Sequence, residues 1–192
     1  VRLPQRLLVL VLFLGASGLG AQTDALPPLS FLGFQPGQSL EGVAHQVEAL
    51  GGKRLRCDRA KRDHSITECR ALVVEPESGL SVNLWLSAVD SSTSVLTLSA
   101  EMNGIELDAW RSRLERDFGV VNGTVQGPQW MLQWVRRGRM LRLTWRIEQG
   151  KKTASVSLID GKLLDEWGRR PARWRQSPPA PRDTAPDSAA HR

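Results

Sequence analysis

The 192-residue chain contains no Tyr, two Cys, three His and three Met. Two cysteines are too few for a multiply stapled mini-scaffold. Histidines at 45, 64 and 191 add no evident fourth ligand to them, so no metal site is expected. No G-x-S-x-G, H-E-x-x-H, Walker or G-x-G-x-x-G string occurs, which removes the motif-borne hydrolase, zinc-protease and nucleotide-binding chemistries. The acidic residues are scattered, and no pair stands out for glycoside hydrolysis. Asp63, His64 and Ser65 are adjacent in sequence, and adjacency alone is not the geometry of a triad. The chain is therefore expected not to be an enzyme, and no cofactor is expected.

Long apolar runs are also scarce. The exception is residues 7–14 (LLVLVLFL), preceded by Arg2 and Arg6 and followed by the small-residue stretch 15–21 (GASGLGA). A positive end, an apolar segment and small residues are the three parts of a cleavable secretory signal. Cleavage is expected after Ala21. The alternative is a retained anchor, for which the run falls short of the roughly 20 residues of a spanning helix. Membrane contact is expected only through this segment before cleavage, and the mature chain is expected outside the cytoplasm, periplasmic or secreted.

The formal charge of +6 is confined to the two ends. Arg2 and Arg6 carry +2, and from Arg169 onward six Arg face only Asp183 and Asp187. Residues 22–168 then hold 18 basic and 18 acidic side chains and are neutral. A basic domain for specific nucleic-acid binding is not indicated. Residues 169–192, rich in Pro, Ala and Arg, have too little apolar surface to offset ordering entropy and read as a disordered tail.

In an oxidising compartment Cys57 and Cys69 are expected to form a disulfide across a hairpin or loop. After an extended lead-in (22–35) whose Phe31, Leu32 and Phe34 can dock on the core, Ser39 can cap a helix. That helix carries Leu40, Val43, Val47 and Leu50 at helical spacing and is closed by Gly51. Strand-like segments follow at 53–57, 65–74, 80–87 and 95–102, with turns at 75–79 and 90–92. After a turn at Asn103-Gly104 the order recurs. A helical stripe of Leu107, Trp110, Leu114 and Phe118 leads to strand-like segments at 120–125, 128–135, 141–148 and 154–158. Asn122-Gly123-Thr124 matches a glycosylation sequon, but Asn-Gly is read as a tight turn. The fold expected is α+β, an antiparallel sheet or sheets with helices on one face. It is expected as a tandem duplication of a helix and four strands, with repeats at about 36–102 and 103–168.

The segment PGQSLEGVAHQVEALGG, with Cys57 and Cys69 flanking the first hairpin, resembles the repeats of the β-lactamase inhibitory protein family and of its single-repeat relatives, the SmpA/OmlA outer-membrane assembly lipoproteins. The resemblance spans about residues 34–165. It implies a noncatalytic protein-binding or envelope-assembly role as a class, without transferring any contact residue. The chain departs from these groups in having no lipobox cysteine and no second cysteine pair.

Tryptophan is the distinctive residue. Trp110 and Trp145 lie on apolar stripes, and Trp130 and Trp134 share a face with Leu132, so all four are read as core. Trp85 alternates with the leucines of its strand and points with Ser81, Asn83 and Ser87. Trp85, with Arg142 and Arg146 of the matching strand, is the candidate anchor for an extracytoplasmic protein or envelope component. A second reading places binding of anionic envelope polymers in the Arg-rich tail. Deleting residues 169–192 is then expected to abolish salt-sensitive co-sedimentation with such polymers, and unchanged binding would rule the tail out.

Overall fold

The computed structural model describes residues 26–61, 63–148 and 151–171. The expected signal and most of the expected tail (172–192) lie outside these residues; residues 169–171 of that tail are described, and Arg170 pairs with Asp90. The element order is α1 (Leu40–Ala49), β1 (Arg56–Arg59), β2 (Ile66–Val74), β3 (Ser81–Val89), β4 (Ser92–Met102), α2 (Gly104–Phe118), β5 (Thr124–Gln126), β6 (Gln129–Arg136), β7 (Arg139–Glu148), β8 (Lys151–Asp160) and α3 (Gly161–Gly168).

Local chemistry sets the ends of these elements. Ser39 Oγ accepts from the Gly42 N–H at 3.1 Å and caps α1. Gly51 leaves that helix at φ 72°, a conformation in which a Cβ is strained. At α2 the expected turn is replaced by a capping box. Asn103 Oδ1 accepts from the Glu106 N–H, and Glu106 Oε2 accepts from the Asn103 N–H. Asn103 is thus the cap, and Gly104 opens the helix rather than turning the chain.

All eight strands form one antiparallel sheet in the order β1-β2-β3-β4-β8-β7-β6-β5. Two four-stranded meanders are joined along β4 and β8, from Val95 opposite Ile159 to Met102 opposite Lys152. Two of the hairpins have two-residue loops with both φ values positive, Asp90-Ser91 (48° and 68°) and Arg137-Gly138 (52° and 78°). That twist matches the right-handed twist of the flanking strands. Expected strand edges shift at β1, which starts at Arg56 rather than Lys53, and at β5, which shortens to Thr124–Gln126. Asn122-Gly123 lies in the irregular stretch 119–123 and forms no turn.

Every second residue of the central strands is buried: Val82, Leu84 and Leu86 on β3, Leu96 and Leu98 on β4, Val156 and Leu158 on β8, Leu141 and Leu143 on β7. Val43 and Val47 of α1 and Leu107, Trp110 and Leu114 of α2 join them in one cluster. Each fully buried aliphatic of this kind contributes about 1.5–3 kcal/mol. The lead-in docks through its phenylalanines but is not extended throughout: Leu32 and Gly33, both at positive φ, turn the chain so that Phe31 and Phe34 pair with each other. Phe31 and Phe34 are buried, Phe31 meets the Trp110 ring edge-on at 4.9 Å, and Gln46 Nε2 donates to Leu32 O.

Cys57 and Cys69 stand opposite each other on β1 and β2 and are disulfide-bonded. The bond ties an edge strand whose residues are all exposed to a neighbour that carries buried Cys69 and Val73. Replacing the pair (Cys57→Ser with Cys69→Ala) is expected to cost about 2–3 kcal/mol, the loop-closure value for so short a segment. Urea unfolding of the oxidised parent against the variant measures it.

Candidate functional site

Strand register converts the alternation of β3 into a surface. Arg70 on β2 stands opposite Trp85 on β3, and Trp85 opposite Thr97 on β4. Thr97 faces Ser157 on β8, Ser157 faces Arg142 on β7, and Arg142 faces Gln133 on β6. Residues opposite one another share a face, so one row crosses six strands with Trp85 and Arg142 in it. The next row runs through Leu72, Asn83, Ser99, Ser155 and Thr144. Hydroxyls and amides dominate this face, whereas the other face carries the buried leucines and valines.

The row is internally braced. Thr97 Oγ1 and Ser157 Oγ lie 3.1 Å apart across the β4–β8 junction. Arg142 donates from Nε (3.1 Å) and Nη2 (2.8 Å) to the Gln133 side-chain oxygen, which braces the guanidinium against the neighbouring strand. Trp85 is 36 % exposed, as its alternation requires. Sequence placed Trp85 near Arg142; the register separates them by three strand intervals, about 14 Å at 4.8 Å per strand. Arg146 lies farther along β7, opposite Thr153 and Gln129, where it lines a shallow hollow with Thr144 and Ser155. The three candidates share one face without converging on a point.

Two other tryptophans conform to the core reading. Trp110 and Trp134 are 2 % and 3 % exposed, and Trp134 Nε1 donates to Gly119 O at 2.7 Å. Trp145 is half-buried. Trp130 corrects the reading: it is 48 % exposed and stacks on Trp145 at 6.1 Å. Its partner on the other side is Val125 of the three-residue strand β5, itself exposed. Alternation places Trp130 on the core side, but the packed cluster ends at Leu132 and Trp134 before reaching it.

Sequence reasoning also missed three buried carboxylates. Asp63 accepts from the Ser65 N–H and Oγ and from Trp167 Nε1, while its sequence neighbour His64 is exposed. Asp160 caps α3 through the Leu163 N–H and takes Arg139 Nε at 3.0 Å. Glu75 accepts from the Ser78 N–H and hydroxyl, each at 2.7 Å, and pairs with Arg113. Burial pushes the Glu75 carboxyl up, but the Ser78 bonds and the Arg113 charge outweigh it and hold the group below the ordinary glutamate range. Each of the three is engaged by neighbours that join separate elements. Among the described residues no cluster of three or more His, Cys, Asp or Glu could hold a metal, and no helix is long and apolar enough to cross a membrane.

Comparison with family models, with curated proteins and with solved structures finds no match to this chain.

The tryptophans therefore divide by what surrounds them. Trp134→Ala is expected to cost about 3–5 kcal/mol, as for a large buried aromatic. Trp85→Ala is expected to cost about 1 kcal/mol or less, since its ring leaves the core undisturbed. Urea denaturation of the two variants separates the cases, and a loss at Trp85 as large as at Trp134 would place Trp85 in the core.

Proposed function

We propose that this chain is an exported, noncatalytic module that binds an extracytoplasmic protein or envelope-assembly component through the polar face of its sheet. The observation that carries the reading is the row from Arg70 through Trp85 and Thr97 to Ser157 and Arg142. An exposed indole and a braced guanidinium are the two side chains most often found at the energetic centre of protein interfaces. Here they stand at opposite sides of a hydroxyl-lined strip. A strip of that width suits a broad partner surface. The disulfide across β1 and β2 suits an oxidising compartment, which supports export.

The element order supports a tandem duplication. A helix and four strands occur twice in sequence, and the two meanders meet along their last strands. This favours the resemblance to the β-lactamase inhibitory protein family and to the envelope-assembly lipoproteins. In that reading α1 and α2 are equivalent helices on one face, and the opposite face is left for the partner.

Affinity capture from envelope extract tests the proposal. A partner retained by the parent chain is expected to fall at least about tenfold in recovery with Trp85→Ala and with Arg142→Ala, a loss of about 1.4 kcal/mol or more. Both variants should remain folded, each melting within about 4 °C of the parent. Equal recovery of every partner by parent and variants would remove this face from consideration.

A further inference from the structure

We propose that the groove between the lead-in and the β6–β7 hairpin is a binding site for a single-chain anionic amphiphile, one phosphate or carboxylate head on an aliphatic tail. The groove encloses about 720 Å³, inside the size range of small-ligand sites. Leu26, Pro27, Pro28 and Leu29 of the lead-in and Val135 of the hairpin supply its apolar lining. Leu26 and Val135 are 64 % and 62 % exposed, so apolar surface faces the groove with nothing of comparable polarity over it among the described residues.

The rim is cationic. Arg136, Arg137, Arg139 and Lys162 all line the groove. Arg139 is committed to Asp160, and Arg136 donates to Pro27 O at 3.1 Å and to Phe118 O at 2.9 Å. Arg136 thereby pins the lead-in wall to the hairpin, and the groove is formed before any ligand arrives. Arg137 and Lys162 differ: among the described residues neither makes an ion pair. The Lys162 stem lies against the hairpin tip, where a Cβ added to Gly138 would come 3.0 Å from Lys162 Cγ. Its stem thus lies along the hairpin tip that carries Arg137, and both residues line the groove.

The chemistry selects the ligand class. Two uncompensated cations beside an apolar trough match an anionic head followed by a hydrocarbon chain. A bare anion leaves the trough unused. An extended acidic peptide would need backbone partners along the wall, and Pro27 and Pro28 offer no N–H. The Pro27 carbonyl is already taken by Arg136. The site lies outside the Trp85–Arg142 row, so its failure and the failure of the proposed function are separate results. It also goes beyond the expectation that only the N-terminal segment meets lipid.

The test is titration of the exported chain with decyl phosphate below its micelle concentration, followed by NMR of the Leu26, Leu29 and Val135 methyls. Saturable shifts are expected at these methyls. The dissociation constant should rise about tenfold or more in Arg137→Ala/Lys162→Ala and, separately, in Val135→Ser, both at surface positions that leave the melt unchanged. Inorganic phosphate should bind at least about tenfold more weakly than decyl phosphate. Four results overturn the proposal: no saturable shift at the groove, the same constant in parent and variants, inorganic phosphate binding as tightly, or shifts appearing only once micelles or phosphatidylglycerol vesicles are present.

Discussion

The pairing of β4 with β8 is the constraint on which the molecule rests. Eight successive residue pairs join the two meanders there. Because side chains alternate strictly, a slip of one residue at this junction would turn the whole second half inside out relative to the first. With the first half in place, Val156 and Leu158 of β8 would face water, while Ser155 and Ser157 would enter the core. The cost of burying these hydroxyls and exposing these aliphatics, repeated along the strands of the second half, pins the register without any special contact. The Thr97–Ser157 hydrogen bond marks the same register on the polar side. The six-strand row is a consequence: Trp85 and Arg142 share it because both meanders are in phase at their common seam.

Where the sheet ends, polar latches replace hydrophobic packing. Glu75 at the end of β2 takes Arg113 of α2, so the first meander is tied to the helix that opens the second half. Asp63 in the β1–β2 turn takes the Trp167 indole of α3, and Asp90 of the β3–β4 hairpin takes Arg170 just after it. These contacts cross 38, 104 and 80 residues of chain. Glu75 and Asp63 are buried, and a buried carboxylate with several donors is costly to strip of any one of them, whereas the Asp90–Arg170 pair is exposed and weak. The latches therefore favour one arrangement of the ends more than they add net stability.

The strands and first two helices were legible because their signals are local. Alternation in β3, β4, β7 and β8, the Ser39 cap and the closing glycines need no knowledge of the fold. The disulfide followed from compartment chemistry and appears as expected between Cys57 and Cys69. What was not legible depended on tertiary contacts. α3 has only eight residues, and its Leu163, Leu164 and Trp167 are half-buried with none fully buried. Its stripe is short, and its place is set by Asp63, a partner 104 residues away. The capping box at Asn103 was available in the sequence as Asn103 with Glu106 three residues on, but the Asn-Gly turn signal competes with it. The single continuous sheet could not be read from strand count, because the β4–β8 pairing joins residues about 60 apart.

Trp130 shows the limit of periodicity most clearly. A period of two assigns a side chain to a face; it does not say whether that face is covered at that point. Trp130, Leu132 and Trp134 share one face of β6, yet only the latter two are buried. The same limit governs the reading of Trp85. Its alternation assigns it to the polar face, and only the register shows what else stands there. The candidate site is thus a property of pairing between strands, and no single strand contains it. Arg142 matters for the same reason: its distance from Trp85 in sequence is irrelevant, and its row position, braced on Gln133, places a held cation across two hydroxyl-bearing strands from the Trp85 indole. The Arg142 guanidinium is braced before a partner arrives, which lowers the ordering cost that binding would otherwise carry.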